Sequence, residues 1–313
     1  MRTVSTCVLL FLSVHSGHSQ ASDEPLSQAR LLVAAGKLSD AETTLRSYLK
    51  ENPSSAGAHY LLGEVLFREQ KARESLAEFS TGAKFDHPGP TELRAIASDY
   101  VLLGDFADAD KWFSEVVTET PNDAEVWYLL GRTKYNENRF AEAVASFERV
   151  LALRPKDVQA EDNLGLAQQG LGHTEEAKAA FQTAIDWQSA VPSDAQPYLN
   201  LGILLTDQGD PSAAVQHLEH AASLVPENPK IHEELGRALE AKGDMEGAQT
   251  QLERAVKLAP NAAALHFKLG QIYRRRGLTE RAQQEFAECA KLNGAHSSTE
   301  VPNPFSPART AKP

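Results

Sequence analysis

Apolar side chains recur along this chain three and four residues apart, in runs broken by short polar turns. That spacing predicts amphipathic helices. The stretch from Ala124 to Asp157 shows the unit. Trp127, Leu130, Gly131 and Lys134–Tyr135 fall at helical spacing in a first helix. Phe140, Ala143, Val144, Phe147, Val150 and Leu151 do so in a second. The polar segment Asn136 to Arg139 separates them, and Pro155 closes the second because its ring cannot continue a helix.

The unit returns every 34 residues, eight times, from Ser22, Ala56, Pro90, Ala124, Val158, Ala195, Pro229 and Ala263. Its eighth position is small throughout: Ala29, Gly63, Ala97, Gly131, Gly165, Gly202, Gly236 and Gly270. So is the twentieth, with Ser75 and otherwise Ala41, Ala109, Ala143, Ala177, Ala214, Ala248 and Ala282. The twenty-fourth is large: Leu45, Phe79, Phe113, Phe147, Phe181, Leu218, Leu252 and Phe286. Small residues remove bulk where two helices cross, and the large one fills the remaining gap. A fixed period of this length means stacked helix pairs rather than one globular core.

This pattern resembles the tetratricopeptide repeat over residues 22–296. The resemblance rests on a bulky residue at position 4, on Tyr128 to Gly131, on Asn163 to Gly165 and Asn200 to Gly202, and on the closing Pro53, Pro121, Pro155, Pro226 and Pro260. It implies an all-α fold, a right-handed superhelical solenoid of about eight helix-turn-helix repeats at 22–55, 56–89, 90–123, 124–157, 158–194, 195–228, 229–262 and 263–296. It also implies that the first helices line a concave groove that binds a peptide or partner protein.

Four segments depart from the period. The fifth repeat carries three extra residues around Ser189 to Pro192, and this predicts a change of stacking that divides repeats 1–5 from 6–8. Gly82 and His87–Pro88 predict that the second helix of repeat 2 is the weakest. Residues 1–21 hold Arg2, the apolar run Cys7 to Val14 and the small pair Ser19 and Ala21, the layout of a cleaved secretory signal. The expected address is periplasmic or extracellular. That run is too short to span a bilayer. Residues 297–313, with Pro302, Pro304, Pro307 and Pro313, read as a disordered tail. The second helix of the last repeat is then left uncovered, which makes the C-terminal repeats a candidate surface for homo-oligomer formation.

The net charge is −12. That argues against nucleic acid, which calls for a basic stripe. Cys289 is the one cysteine beyond the leader, so no internal disulfide can form, and its place at position 27 reads as a small buried residue. No catalytic grouping, metal site or cofactor motif emerges. His217 and His220 supply two ligands without a third, and His232 to Gly236 lacks the second histidine of a metalloprotease helix. The histidines read as solvated or packing residues. Arg274 to Arg276 read as cations at a helix C-terminus.

The resemblance implies that positions 2, 5, 6, 9, 12 and 13 face the groove. In repeats 2–4 these include Tyr60, Phe67, Arg68, Arg94, Tyr128, Arg132, Tyr135 and Asn136. In repeats 5–7 they include Asp162, Asn163, Asn200, Asp207, Glu233 and Glu240, with Arg237 among them. The expected groove is basic and aromatic in its first half and acidic in its second. Repeats 2–4 are the candidate site for a peptide with acidic and apolar side chains. Glu64, Ser98 and Arg132 at position 9 do not form the carboxylate clamp of chaperone-binding repeats. Of the asparagine ladder found in glycosyltransferase-associated repeats, only Asn163 and Asn200 are present, and no catalytic domain follows. The reading is a non-catalytic interaction scaffold.

Overall fold

The structure is a computed structural model that describes residues 24–188 and 193–297. The leader at 1–21 and the tail from 298 onward lie outside the described residues. Within them the chain is all helix and turn, with no strand.

The described residues up to 137 form one compact unit. It contains α1 (Glu24–Ala34), α2 (Leu38–Glu51), α3 (Ala56–Arg68), α4 (Ala72–Gly82), α5 (Pro90–Leu103), α6 (Phe106–Glu119) and α7 (Ala124–Asn136). The described residues from 138 onward form another. It contains α8 (Phe140–Leu153), α9 (Val158–Gly170), α10 (Thr174–Asp186), α11 (Gln196–Asp207), α12 (Pro211–Leu224), α13 (Pro229–Lys242), α14 (Met245–Leu258), α15 (Ala263–Arg275) and α16 (Thr279–Ser297). Ser297, expected in the tail, ends α16.

Each helix pair is built as the small and large positions predict. A Cβ added at Gly165 would meet the Phe181 ring at 2.5 Å, and one at Gly202 would meet the Leu218 side chain at 2.5 Å. Position 8 therefore admits position 24 directly, and Phe79, Phe113, Phe147 and Phe181 are the largest fully buried side chains. Gly82 has a specific use. The Tyr60 ring occupies the space its Cβ would take, at 2.6 Å. The cost is helix length, since α4 has 11 residues where α6 has 14.

The turns have an equally regular cause. Position 15 lies in the left-handed region in every repeat: Gly36, Gly104, Gly172, Gly209, Gly243 and Gly277, with Gln70 and Asn138 in the other two. Glycine adopts that conformation at no steric cost. Side chains of Asp105, Asp123, Asp157, Asp210, Asn228 and Asp244 accept backbone N–H bonds at helix starts, each worth about 1 kcal/mol.

The expected break at the fifth-repeat insertion is not where the chain divides. One continuous core links Ala177 and Phe181 before it to Leu199, Leu201 and Leu205 after it. The Gln188 side chain stitches the loop shut. Its Nε2 donates to the Asp194 carbonyl at 3.1 Å, and its Oε1 accepts from the Ser193 and Asp194 N–H groups at 3.2 and 3.1 Å.

Candidate functional site

The first helices α3, α5 and α7 enclose an open cleft of ≈ 310 Å³. Phe67 and Arg68 come from α3, Arg94 and Ser98 from α5, and Leu129 from α7. A second hollow of ≈ 360 Å³ shares Phe67, Arg68, Ser98 and Leu129 and adds Val101, Leu102 and Phe113. A third joins Tyr60 and Arg68 to Arg30 of α1. The structure thus brings Tyr60, Phe67, Arg68 and Arg94 to one face. Tyr128, Arg132, Tyr135 and Asn136 share α7 but line none of these hollows. Arg132 and Asn136 are exposed and the two tyrosines half-buried.

This face is not uniformly basic. Glu64 at position 9, Glu125 at position 2 and Glu92 at position 3 stand among its arginines. Glu64 accepts from Arg68 at 2.5 Å, the one-turn pair that the helix period permits. Arg68 also donates to the Val33 carbonyl at 3.4 Å. Glu92 accepts from the Gly89 N–H at 3.1 Å and closes the start of α5. Arg94 is exposed and makes no ion pair among the described residues.

The second unit overturns the expected open acidic surface. Asp207 pairs with Arg237 at 2.6 Å, and Arg237 also holds Glu234 at 2.7 Å. Glu233 pairs with Lys268 and with Lys230, and these two cations pull its carboxyl below the usual range against the opposing effect of burial. Glu240 pairs with Arg275. The two asparagines at position 6, Asn163 and Asn200, have separate partners. Asn200 is buried, and its Nδ2 donates to both Asp162 oxygens at 2.9 and 3.0 Å. Asn163 instead donates to the Gln159 carbonyl at 2.8 Å. Burial pushes the Asp162 carboxyl up to about 7, with the Asn200 amide opposing. Asp162 is therefore an interior group and not a groove charge.

Three of these contacts follow one rule. Position 5 of a repeat meets position 6 of the next, as in Glu233–Lys268, and position 12 meets position 13, as in Glu240–Arg275; both pairs are 35 residues apart. Asp162 and Asn200 are 38 apart because the insertion lies between them. The same diagonals in the first unit place Leu129 at the position facing Arg94, and Leu102 at the position facing Phe67. Arg94 lacks a partner because its neighbour on the next first helix is a leucine.

The histidines have a more specific role than solvation or packing. His59, His232 and His266, each at position 4, face the Pro53, Pro226 and Pro260 carbonyls through Nε2 at 3.0, 2.9 and 2.9 Å. Their Nδ1 atoms face Glu78, Gln251 and Glu285 at 2.7, 2.8 and 2.6 Å. Trp127 makes the equivalent bond, with its indole N–H donated to Pro121 at 3.0 Å. Position 4 therefore ties each such repeat to the carbonyl that closed the one before. Burial disfavours the charged form of His266, but the Pro260 carbonyl and Glu285 outweigh it and its pKa rises.

Asp99 was not singled out by the sequence pattern. It is fully buried at position 10, where Val65, Leu204 and Ile272 stand in other repeats, and neither carboxylate oxygen has a hydrogen-bond partner among the described residues. Burial pushes its carboxyl up to about 6. The nearby Ser75 hydroxyl opposes that shift only in part, because its proton goes to the Gly63 carbonyl at 2.9 Å. The Arg274 to Arg276 run is largely engaged: Arg275 holds Glu240 and Arg276 holds Gln249. Cys289 is half-buried rather than buried, since α16 is the last described helix. No three His, Cys, Asp or Glu side chains among the described residues are grouped to hold a metal ion. No described helix is long and apolar enough to cross a membrane.

Comparison with known proteins bears on this geometry. Tetratricopeptide repeat models match residues 26–86, 205–266 and 263–296. The chain carries tetratricopeptide repeats. A model described as the cilia and flagella-associated protein 70 middle TPR-like domain also matches residues 93–225. Among curated relatives, the mouse protein O-mannosyl-transferase TMTC1 is 28% identical over 141 residues, 43% of this chain. This tetratricopeptide chain spans only 14% of that relative's length. A tetratricopeptide repeat protein from Parabacteroides merdae shares the fold with a TM-score of 0.64, at 20% identity over 81% of this chain and 99% of that one. The structure described as PilW, a widely conserved type IV pilus biogenesis factor, has a TM-score of 0.59 at 20% identity, over 67% of this chain and 95% of its own. At such identities the likeness shows the fold, an all-α tetratricopeptide solenoid.

Proposed function

We propose that this protein is a non-catalytic interaction scaffold that takes a peptide or partner protein on the first-helix face of α3, α5 and α7. One observation carries the reading: three consecutive first helices open adjoining hollows with apolar walls, and one of the two arginines there, Arg94, makes no ion pair among the described residues. Rigid helical elements that present aromatic area and unpaired guanidinium groups suit recognition of an extended partner. Export to the periplasm or beyond, through the leader at 1–21, belongs to this proposal. So does a role in cell-envelope assembly or export; pilus biogenesis is a property of PilW. The test is an envelope extract passed over immobilised protein and over the Arg68→Glu, Arg94→Glu, Arg132→Glu variant. A partner held by the first and lost by the second, at equal helicity, supports the reading. Identical capture by both discards it.

A second reading is self-association through α15 and α16. Phe267 is 48% exposed there, 5.7 Å from the Phe286 ring. Sedimentation velocity decides it. A mass that rises with concentration and no longer does so in Phe267→Ser supports association, and a constant mass removes it.

A further inference from the structure

The thirteenth position of the repeats carries Ala34, Arg68, Leu102, Asn136, Gly170, Asp207, Ala241 and Arg275. Leu102 is the one large apolar side chain in that column, and it is 55% exposed. Leu103 beside it is 41% exposed, in the last turn of α5 before the left-handed Gly104. A single exposed leucine is ordinary. Here the surface beneath it is open as well. Phe67, Val101, Phe113 and Leu129 form the apolar lining of the same notch, and its polar walls are Arg68, Gln70 and Ser98. The diagonal that elsewhere joins a carboxylate to a cation joins Phe67 to Leu102 here, so the face keeps an apolar strip where the second unit has ion pairs. An apolar patch rimmed by polar groups marks an interaction site more often than a stable free surface.

The adjoining cleft fixes the second half of the chemistry. It shares Phe67, Arg68, Ser98 and Leu129 with the notch, so the two adjoin. Of its three glutamates, Glu64 is held by Arg68 and Glu92 by the Gly89 N–H, and Glu125 lines the cleft beside them. Arg94 is exposed and makes no ion pair among the described residues, on a chain whose net charge is −12. A planar fork without a carboxylate is built to accept one.

We propose that the notch under Leu102 is an anchor pocket for a partner peptide that inserts one large aliphatic or aromatic side chain there and sets a carboxylate, about one to three residues away along an extended chain, on Arg94. This rests on the interaction-scaffold reading and adds to it the chemistry of the occupant. The shallow, open, apolar shape fits a side chain borne on a backbone better than a free small molecule, which needs enclosure.

The test uses the full chain and a panel of fluorescent ten-residue peptides. Each places one Glu and one Leu or Phe at every spacing in a Gly-Ser background, and binding is read by anisotropy. The expected result is binding that needs both side chains at a restricted spacing. Leu102→Gln weakens it by about tenfold to a hundredfold. Leu102 is exposed and glutamine is an ordinary surface residue, so this change leaves the core intact. Arg94→Glu weakens binding similarly and restores it for the peptide in which Glu is replaced by Lys. Binding that Leu102→Gln and Arg94→Glu leave unchanged, but Arg68→Glu with Arg132→Glu removes, overturns the anchor pocket while the scaffold reading stands. Binding by none of the panel overturns the anchor pocket as well, and the envelope partner test then decides the scaffold reading separately.

Discussion

The first-helix faces of the two units are built on the same skeleton and finished differently. Both cross their helices at a small position 8 against a large position 24, and both turn at a left-handed position 15. In residues 138–313 the polar groups on the face satisfy one another: Asp207 and Glu234 on Arg237, Glu233 on Lys268, Glu240 on Arg275 and Asp162 on Asn200. In residues 24–137 the diagonals from Arg94 and Phe67 meet Leu129 and Leu102, and Arg94 and Arg132 make no ion pair among the described residues. A repeat architecture therefore specifies the scaffold without specifying what its face is for. The unfinished face is the one with interaction capacity to spare.

If the two skeletons are equivalent, they should fail equally. Phe79→Ala in the first unit and Phe181→Ala in the second each remove a fully buried ring. Each is expected to cost about 3–5 kcal/mol in urea unfolding followed by circular dichroism. A large difference between them would break the comparison at its base.

The next effect separates the units by pH. The unfolded Asp99 carboxyl releases its proton near 3.8 and the folded one near 6. The neutral form therefore favours folding. Its contribution is fully present below the lower value and is lost as pH rises through the upper one. Asp99→Leu, which supplies the residue that repeat 6 has at this position, should raise the urea midpoint at pH 7, worth about 1–3 kcal/mol, and the advantage should shrink toward pH 4. Asp162 shifts the same way, to about 7, but has Asn200 as a donor. Asn200→Leu should therefore destabilise the second unit where Asp99→Leu stabilises the first.

A smaller effect lies in the turns. Gln70 holds a positive φ of 61° that Gly209 holds at 82° without strain. Gln70→Gly should stabilise the first unit by about 1 kcal/mol, and Gly209→Gln should destabilise the second by a similar amount, both read from thermal midpoints. Smallest of all are the surface charges. Arg237→Ala should lower stability by up to about 1 kcal/mol at low salt and by less at high salt. Arg94→Ala should change it by no more than about 0.5 kcal/mol. Loss of stability from Arg94→Ala equal to that from Arg237→Ala would mean that the first face is as internally committed as the second.

What could be read from the chain follows the range of each interaction. Positions 8, 20 and 24 lie within one repeat, so their size pattern was visible as columns. The Arg68–Glu64 pair lies one turn apart on one helix and was equally available. The contacts that decide the character of the face run between columns, from position 5 to 6 and from 12 to 13 of the next repeat. Taken column by column, Glu233 and Glu240 look like an acidic surface; their partners Lys268 and Arg275 stand in neighbouring columns. Opposite charges 35 residues apart were the available signal. The insertion hid Asp162–Asn200 from that signal as well. Asp99 was hidden because a single polar residue in an apolar column looks like variation until its burial is known.

The hydrogen bond at position 4 has a consequence for anyone exchanging repeats between such chains. In repeats 2, 4, 7 and 8 the donor sits six residues after the proline whose carbonyl it holds, so the fastening spans the seam between two repeats. A cassette cut at the seam carries the donor away from its acceptor. One cut inside the turn between a repeat's two helices keeps them together. Histidine and tryptophan both serve as that fastener here, so the transferable element is an N–H at a set distance from a proline, whichever ring supplies it.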